Sequence, residues 1–314
     1  MSIKFKKLSG DLRTLLDVTK STNSMFRSVS SPNHTSFDGL LKYDDTINVK
    51  NAQYMFYEAR RLIKAPLFNT KNIIHAESMF TNCENLESIP TYDMSNLLYA
   101  QGMFSGCKKL KSAKMNNINK LSNTESMYAI CESLQSVQEC DMSGVTAANR
   151  MFYGCIELTE LPPLNTSNAT NLKDICWGCK KLVTVPLIDM NSVTSSMFAE
   201  NMFTGCEQLT NLTLKNIKQG VEISDGTTFG NLLTVESLIN TCKECIRRSG
   251  TSIYKVKIGS VNLEKIANVY VKFTDESTIE IPVGEKGDVV VCDSTDVGAM
   301  TIQEYMALKN WTIL

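Results

Sequence analysis

Eleven cysteines are the residues of this chain with the most chemistry to offer, and six of them keep a fixed rhythm. Cys83, Cys107, Cys131, Cys155, Cys179 and Cys206 each stand four residues after the start of a recurring phrase. Two further pairings, Cys176/Cys179 and Cys242/Cys245, have the spacing of half a zinc site. They lie too far apart for a zinc ribbon, however, and Cys179 already belongs to the regular column. An odd count in a long chain also argues against a disulfide framework. A free cysteine is a small, commonly buried hydrophobe, so the column is expected to be reduced thiols filling an interior. The two histidines, His34 in a turn-rich break and His75 in a surface column, do not complete a metal or His–Cys site. P-loop, HExxH, GxSxG and dinucleotide fingerprints are all missing, and Glu285-Lys286-Gly287-Asp288 reads as a turn. The expectation is a non-enzymatic chain with no metal and no cofactor.

What positions the cysteines is a repeat. The phrase MFSGCKKL at Met103 returns at Met79, Met127 and Met151; it begins at Met55, degrades at Ile175 and recovers at Met202. The step is 24 residues five times and 27 for the last. A period in this range is that of leucine-rich repeats. With the Met as position zero, position one is aromatic in six of seven repeats, and position seven is Leu in all, from Leu62 to Leu209. Position ten is apolar, from Ala65 to Leu212. A single repeat cannot bury such a face alone, but stacked neighbours make it continuous. Position fourteen is always Asn or Asp (Asn69, Asp93, Asn117, Asp141, Asn165, Asp189 and Asn216). Such side chains satisfy nearby backbone in a tight turn, a better account than a calcium ladder.

The predicted fold is therefore an α/β solenoid, a leucine-rich-repeat-like right-handed coil of about seven repeats. Each coil is expected to carry a short parallel strand at positions seven to twelve, as in LESIPT from Leu86 and LVTVPL from Leu182. The Asx turn and a short helix over segments such as LLYAQGMFSGC from Leu97 should follow. Prolines at position eleven (Pro66, Pro90, Pro162, Pro186) should end the strand. Three extra residues near Met197-Phe198-Ala199 should bulge at a surface loop.

Residues 1–44 read as an N-terminal capping segment with a short helix over 9–20 and a degenerate repeat opening at Ser24-Met25-Phe26. Residues 45–229 form the array, its phase set by Asp45. Residues 230–314 read as a non-repeat α+β cap, with a helix over 234–248 and strands over 254–258, 269–273, 278–283 and 289–292. Thr301 and Glu304 frame a capping box for a last helix.

The phrase MF-x-G-C-x-x-L followed by a Pro and a turn of the D-x-S-N kind, as in Met79–Asn96 and Met151–Asn168, resembles the BspA-type leucine-rich repeats of bacterial surface proteins. The likeness covers about residues 45–217. The ends, LLDVTKSTNSMF and Asn310-Trp311-Thr312, resemble those of such arrays in phage and prophage proteins. Membership would imply a curved solenoid used for adhesion or protein binding, and it carries over no catalytic residue. This copy departs in its 24-residue unit, in Ala59 where the cysteine would be, and in Ile175-Cys176 replacing the Met-aromatic pair.

A net charge of −1 argues against nucleic acid as the main partner, and no stretch suggests membrane insertion. The opening MSIKFKKLSGDLRTLLDV does not read as a secretory leader, so virion or cytoplasm is expected over the free cell surface. The partner is expected to be a protein or surface glycan, with docking to a larger assembly through the caps. Its binding face is placed at positions eight and nine, which vary while the core columns do not. The candidates are Lys64, Glu87, Ser88, Lys111, Ser112, Gln135, Ser136, Glu160, Thr184 and Asn211. Phe68, Tyr92 and Tyr99 are the nearest aromatic candidates on the flanks. A purely structural virion component and an intracellular effector scaffold are the competing readings.

Overall fold

The computed structural model describes residues 24–27, 46–139, 141–217 and 233, together with the later elements 254–256, 270–273, 289–292, 300–308 and 311–313. The expected helices over 9–20 and 234–248, the strand over 278–283, His34 and Asp45 lie outside the described residues.

Equivalent residues of successive repeats lie side by side and pair in parallel. One row runs along position twenty, Asn51 to His75 to Tyr99 to Asn123 to Ala147 to Asn171. A second follows position nine, pairing Lys64 with Ser88 and joining Glu160, Thr184 and Asn211. A third holds short strands whose register is one residue out of the repeat phase: β1 (Tyr92–Asp93) pairs with β2 (Met115–Asn116), and β3 (Ile188–Asp189) with β4 (Leu214–Lys215), all parallel. Of the strand expected over positions seven to twelve, only single residues at position nine pair, and the short strands fall mostly beyond it, at positions twelve to fourteen, past the position-eleven prolines. Without an N–H they cannot extend a ladder through themselves.

The expected short helix is replaced by consecutive turns. In each repeat the residues at positions minus one and three have left-handed backbone, for example Tyr54 and Glu58, Ser78 and Asn82, Gly102 and Gly106, and Arg150 and Gly154. A left-handed residue every four positions cannot continue an α-helix. The hydrogen bonds show where the donors go instead. Gly102, Phe104 and Gly106 donate their N–H groups to Glu125, Met127 and Ala129 of the following repeat, whereas Met103, Ser105 and Cys107 donate three residues back. Alternate donors therefore stitch the repeats together, and the rest close local turns.

The side chains between these rows form one core. The Met, aromatic, Cys and Leu columns are essentially inaccessible, as in Met103, Phe104, Cys107 and Leu110. Rings at position one stack face to face along the array. Phe56–Phe80, Phe80–Phe104, Phe104–Tyr128 and Tyr128–Phe152 have centroids 5.1, 5.6, 5.6 and 5.8 Å apart. Phe26 adds a ring at 5.3 Å from Phe56, and Ser24 and Phe26 donate to Gln53 and Met55. Two buried columns carry no signature in the phrase itself: a mostly small one three residues before the Met (Ala52, Ala76, Ala100, Thr124, Ala148) and an aliphatic one at position eighteen (Ile73, Leu97, Leu121, Val145). The three-residue insertion forms a 3-10 turn over Ser196–Phe198 with Met197 exposed, while Leu172 still donates across it to Phe198.

Beyond the array, β5 (Tyr254–Val256) pairs in parallel with β9 (Trp311–Ile313). Antiparallel pairs join β6 (Tyr270–Phe273) to β7 (Val289–Cys292) and to β8 (Met300–Thr301). The helix α1 (Ile302–Leu308) starts with the expected box: the Thr301 N–H donates to Glu304 Oε2 at 2.7 Å and the Glu304 N–H to Thr301 Oγ1 at 3.2 Å.

Candidate interaction surface

The proposed face consists of side chains that the core columns leave outside. Because Leu at position seven and the apolar residue at position ten point inward, positions eight and nine between them face away. Lys64, Glu87, Ser88, Lys111, Gln135, Ser136, Glu160, Thr184 and Asn211 are exposed, and Ser112 is half-buried. Backbone bonds tie neighbours in this row, with Glu87 donating to Ile63, Gln135 to Lys111, Val183 to Thr159 and Thr210 to Val183. Backbone pairing thus joins the candidates in three runs, over 63–88, 111–135 and 159–211, with Ser112 and Ser136 at the same repeat positions. A small depression of about 210 Å³ bounded by Arg61, Ile63, Asn85, Glu87 and Lys109 opens at its first repeats.

The flanking aromatics divide differently from expectation. Tyr92 and Phe68 are core residues, 1% and 2% exposed, with Tyr92 Oη donating to the Pro66 carbonyl at 2.8 Å. Only Tyr99 remains partly accessible, stacked on His75 with centroids 4.9 Å apart. His75 in turn sits 3.1 Å from Glu77. The exposed aromatic surface lies elsewhere, on the turn segments. There Tyr153 and Trp177, both at position two, stack at 4.7 Å, with Arg150 over the Tyr153 ring. Position two is otherwise Thr, Ser or Ala in most repeats, so no periodicity announced that pair.

The cysteine column is interior. Each thiol donates to a carbonyl of the preceding repeat: Cys83 to Phe56, Cys107 to Phe80, Cys131 to Phe104, Cys155 to Tyr128, and Cys179 to Phe152, at 3.0–3.1 Å. Burial pushes all five thiols far above their ordinary range. Among the described residues no group of three or more His, Cys, Asp or Glu is arranged to hold a metal ion. Since the thiolate is the reactive form, these cysteines, with Cys176 and Cys206, are expected to stay unlabelled by iodoacetamide at about pH 8 in the native protein. All seven should react in denaturant, and peptide mass spectrometry distinguishes the two results.

The position-fourteen residues are turn formers. Asn69, Asp93, Asp141, Asn165 and Asp189 each accept the N–H two residues on, at 2.8–3.2 Å. Asn117 and Asn216 instead adopt left-handed backbone and reach back to Asp93 and Asp189 of the preceding repeats. A further column was not read from the sequence: Asn72, Asn96 and Asn168 at position seventeen each donate to a carbonyl of the repeat before.

A larger cleft of about 860 Å³ opens beside the row, bounded by Ile118, Gln138, Glu139, Asp141, Met142, Pro163, Leu164, Asn165, Pro186 and Leu187. Hydrogen bonds from Ser143 hold the Asp141 carboxyl below its ordinary range. No helix among the described residues is long and apolar enough to cross a membrane.

No curated protein matches this chain. No solved structure matches it either. One family model matches twice, over residues 20–138 and 122–230, together two thirds of the chain. At this coarse level the match supports a family of repeat surface proteins. The overlapping matches fall on the repeats that stack through their backbone, and the chain belongs to the family described as "Mycoplasma protein of unknown function, DUF285".

Proposed function

We propose that this chain is a non-catalytic interaction module that recognises a protein or glycan on a cell surface. In this reading it folds as a leucine-rich-repeat-like solenoid over residues 45–229, between the segment 1–44 and an α+β cap over 230–314. Parallel pairing at an offset of one repeat supports the solenoid, with stitched turns standing where helices were expected. The BspA-type resemblance supports a surface role, and display on a phage particle is its more specific form.

The observation that carries the functional reading is the contrast between columns. Core positions repeat the same residue types and are inaccessible, while the adjoining row is exposed and changes charge, size and polarity from one repeat to the next. A rigid scaffold that holds variable side chains at a regular spacing is how solenoids present a recognition surface.

The test is binding of the fluorescently labelled chain to intact cells, from a panel of bacterial and epithelial lines, read by flow cytometry. Reversing four exposed charges together (Lys64→Glu, Glu87→Lys, Lys111→Glu, Glu160→Lys) is expected to lower apparent affinity by about ten-fold or more. Such surface changes leave stability within about 0.5 kcal/mol each. Saturable cell binding that the fourfold variant does not weaken would remove the row from the proposal. No saturable binding to any cell would favour a structural role instead.

A further inference from the structure

The cleft beside Pro163 lies at a break in the third ladder. Strands β1 and β2 pair on one side of it and β3 and β4 on the other. Between them, Asp141, Leu164 and Asn165 belong to no strand pair among the described residues. Pro162 and Pro163 lead into the unpaired stretch, and at its other side the Met115 N–H is taken by the Gln138 side chain, whose Oε1 accepts it at 3.2 Å. The Asp141 N–H still donates to the Ile118 carbonyl at 3.2 Å, and Phe104, Tyr128 and Phe152 stay stacked in the core, so the repeats remain joined around the opening.

The opening has an apolar floor and an acidic rim. Ile118, Met142 and Leu164 are buried at its base, whereas Leu187 is 43% exposed at its wall. Glu139 and Asp141 are both exposed on the rim, and no Lys or Arg lines the cleft. Several other carboxylates along the stack meet a cation from a neighbouring repeat, as in Glu84–Arg60, Glu132–Lys108, Glu157–Lys181 and Glu200–Lys173. Glu139 and Asp141 have no ion-pair partner among the described residues. Two carboxylates on one rim with no cation in the lining favour a cationic over an anionic ligand. No aromatic residue lines the cleft, so a sugar ring would find no stacking surface.

The dimensions select among cationic ligands. The lining residues come from four successive repeats, and repeats paired in parallel stand about 5 Å apart. The cleft is therefore about 15 Å long, the reach of four or five extended residues at about 3.3 Å each. We propose that it takes an extended, lysine- or arginine-bearing peptide segment of a protein partner. The segment's apolar side chains lie against Leu164, Pro186 and Leu187, and its cations meet Glu139 and Asp141. This site is separate from the variable row and does not depend on it.

Fluorescence anisotropy with the full chain tests the assignment. The probe is the fluorescein-labelled hexapeptide Lys-Leu-Lys-Pro-Leu-Lys, compared with its charge mirror Glu-Leu-Glu-Pro-Leu-Glu and with Lys-Ser-Lys-Pro-Ser-Lys, which lacks the apolar side chains. Saturable binding of the first is expected below about 1 mM, with both others weaker by about ten-fold or more. The double variant Glu139→Gln/Asp141→Asn keeps side-chain shape and the acceptor that Ser143 uses, so it should fold normally. It is expected to weaken the cationic peptide about ten-fold, and Leu187→Ser several-fold, while Lys64→Glu in the variable row changes nothing. An unaltered melting temperature checks the fold of each variant. Equal binding of the three peptides, unchanged affinity in the double variant, or no saturable binding would each overturn the proposal.

Discussion

Phe104→Ala is expected to destabilise the protein by about 3–5 kcal/mol and to make its unfolding visibly less cooperative. The ring is fully buried and stacks on Phe80 on one side and Tyr128 on the other, both at 5.6 Å. Truncation removes the transfer energy of the ring and leaves a cavity that the repeats cannot close, because their spacing is held by the backbone bonds of the turns and ladders. It also removes two aromatic pairs, each worth about 0.5–1.5 kcal/mol beyond burial. In the proposed solenoid each repeat touches only its neighbours, so a weakened interface in the middle is expected to separate the array into two cooperative units. Urea unfolding followed by circular dichroism should show a lower midpoint and a shallower slope. A change below about 1 kcal/mol with the slope unaltered would mean that the ring column does not hold the repeats together.

The second large effect depends on backbone rather than side-chain burial. Position three is left-handed in every repeat and is Gly at 106, 154, 178 and 205, Asn at 82, Glu at 58 and Ile at 130. Gly106→Ala places a methyl group on a residue with φ near +75° and against the Asn82 side chain, so a loss of about 1–2 kcal/mol is expected. Ile130→Asn should act in the opposite direction. A β-branched residue is strained at φ near +59°, and its side chain is 40% exposed, so little packing is lost. Replacing it by the residue that serves at position 82 is expected to gain about 1 kcal/mol, or about 3 °C in melting temperature for a domain of this order of size. Scanning calorimetry on the two variants reads opposite signs if the turn geometry is as described; equal signs would exclude it.

These two predictions divide along the line between what could be read in the chain and what could not. The buried columns were legible because burial selects residue type: a ladder of stacked coils needs the same small set of side chains at the same position, and that need appears directly as Met, aromatic, Cys and Leu every 24 residues. The exposed row followed by subtraction, since positions eight and nine lie between two inward-facing ones. The Asx turns were legible for the same reason as the columns, because a short polar side chain is the part that closes the turn. Phe68 and Tyr92 were misplaced on the flanks. An aromatic with a polar tip reads as accessible in one dimension, but in the stack the Tyr92 hydroxyl reaches the Pro66 carbonyl and the ring stays inside.

By itself, then, the sequence determined the period, the phase and most of the interior of this protein. The tertiary structure decided what joins the repeats. Turns replace helices because left-handed residues at positions minus one and three aim alternate N–H groups at the following repeat, and those groups are chemically the same in nearly every residue. Side-chain types therefore carry little trace of them, beyond a glycine at some of the sites. The cleft was hidden too: Ile118, Met142, Leu164 and Leu187 belong to four different repeats, and only with the repeats side by side do they bound one opening.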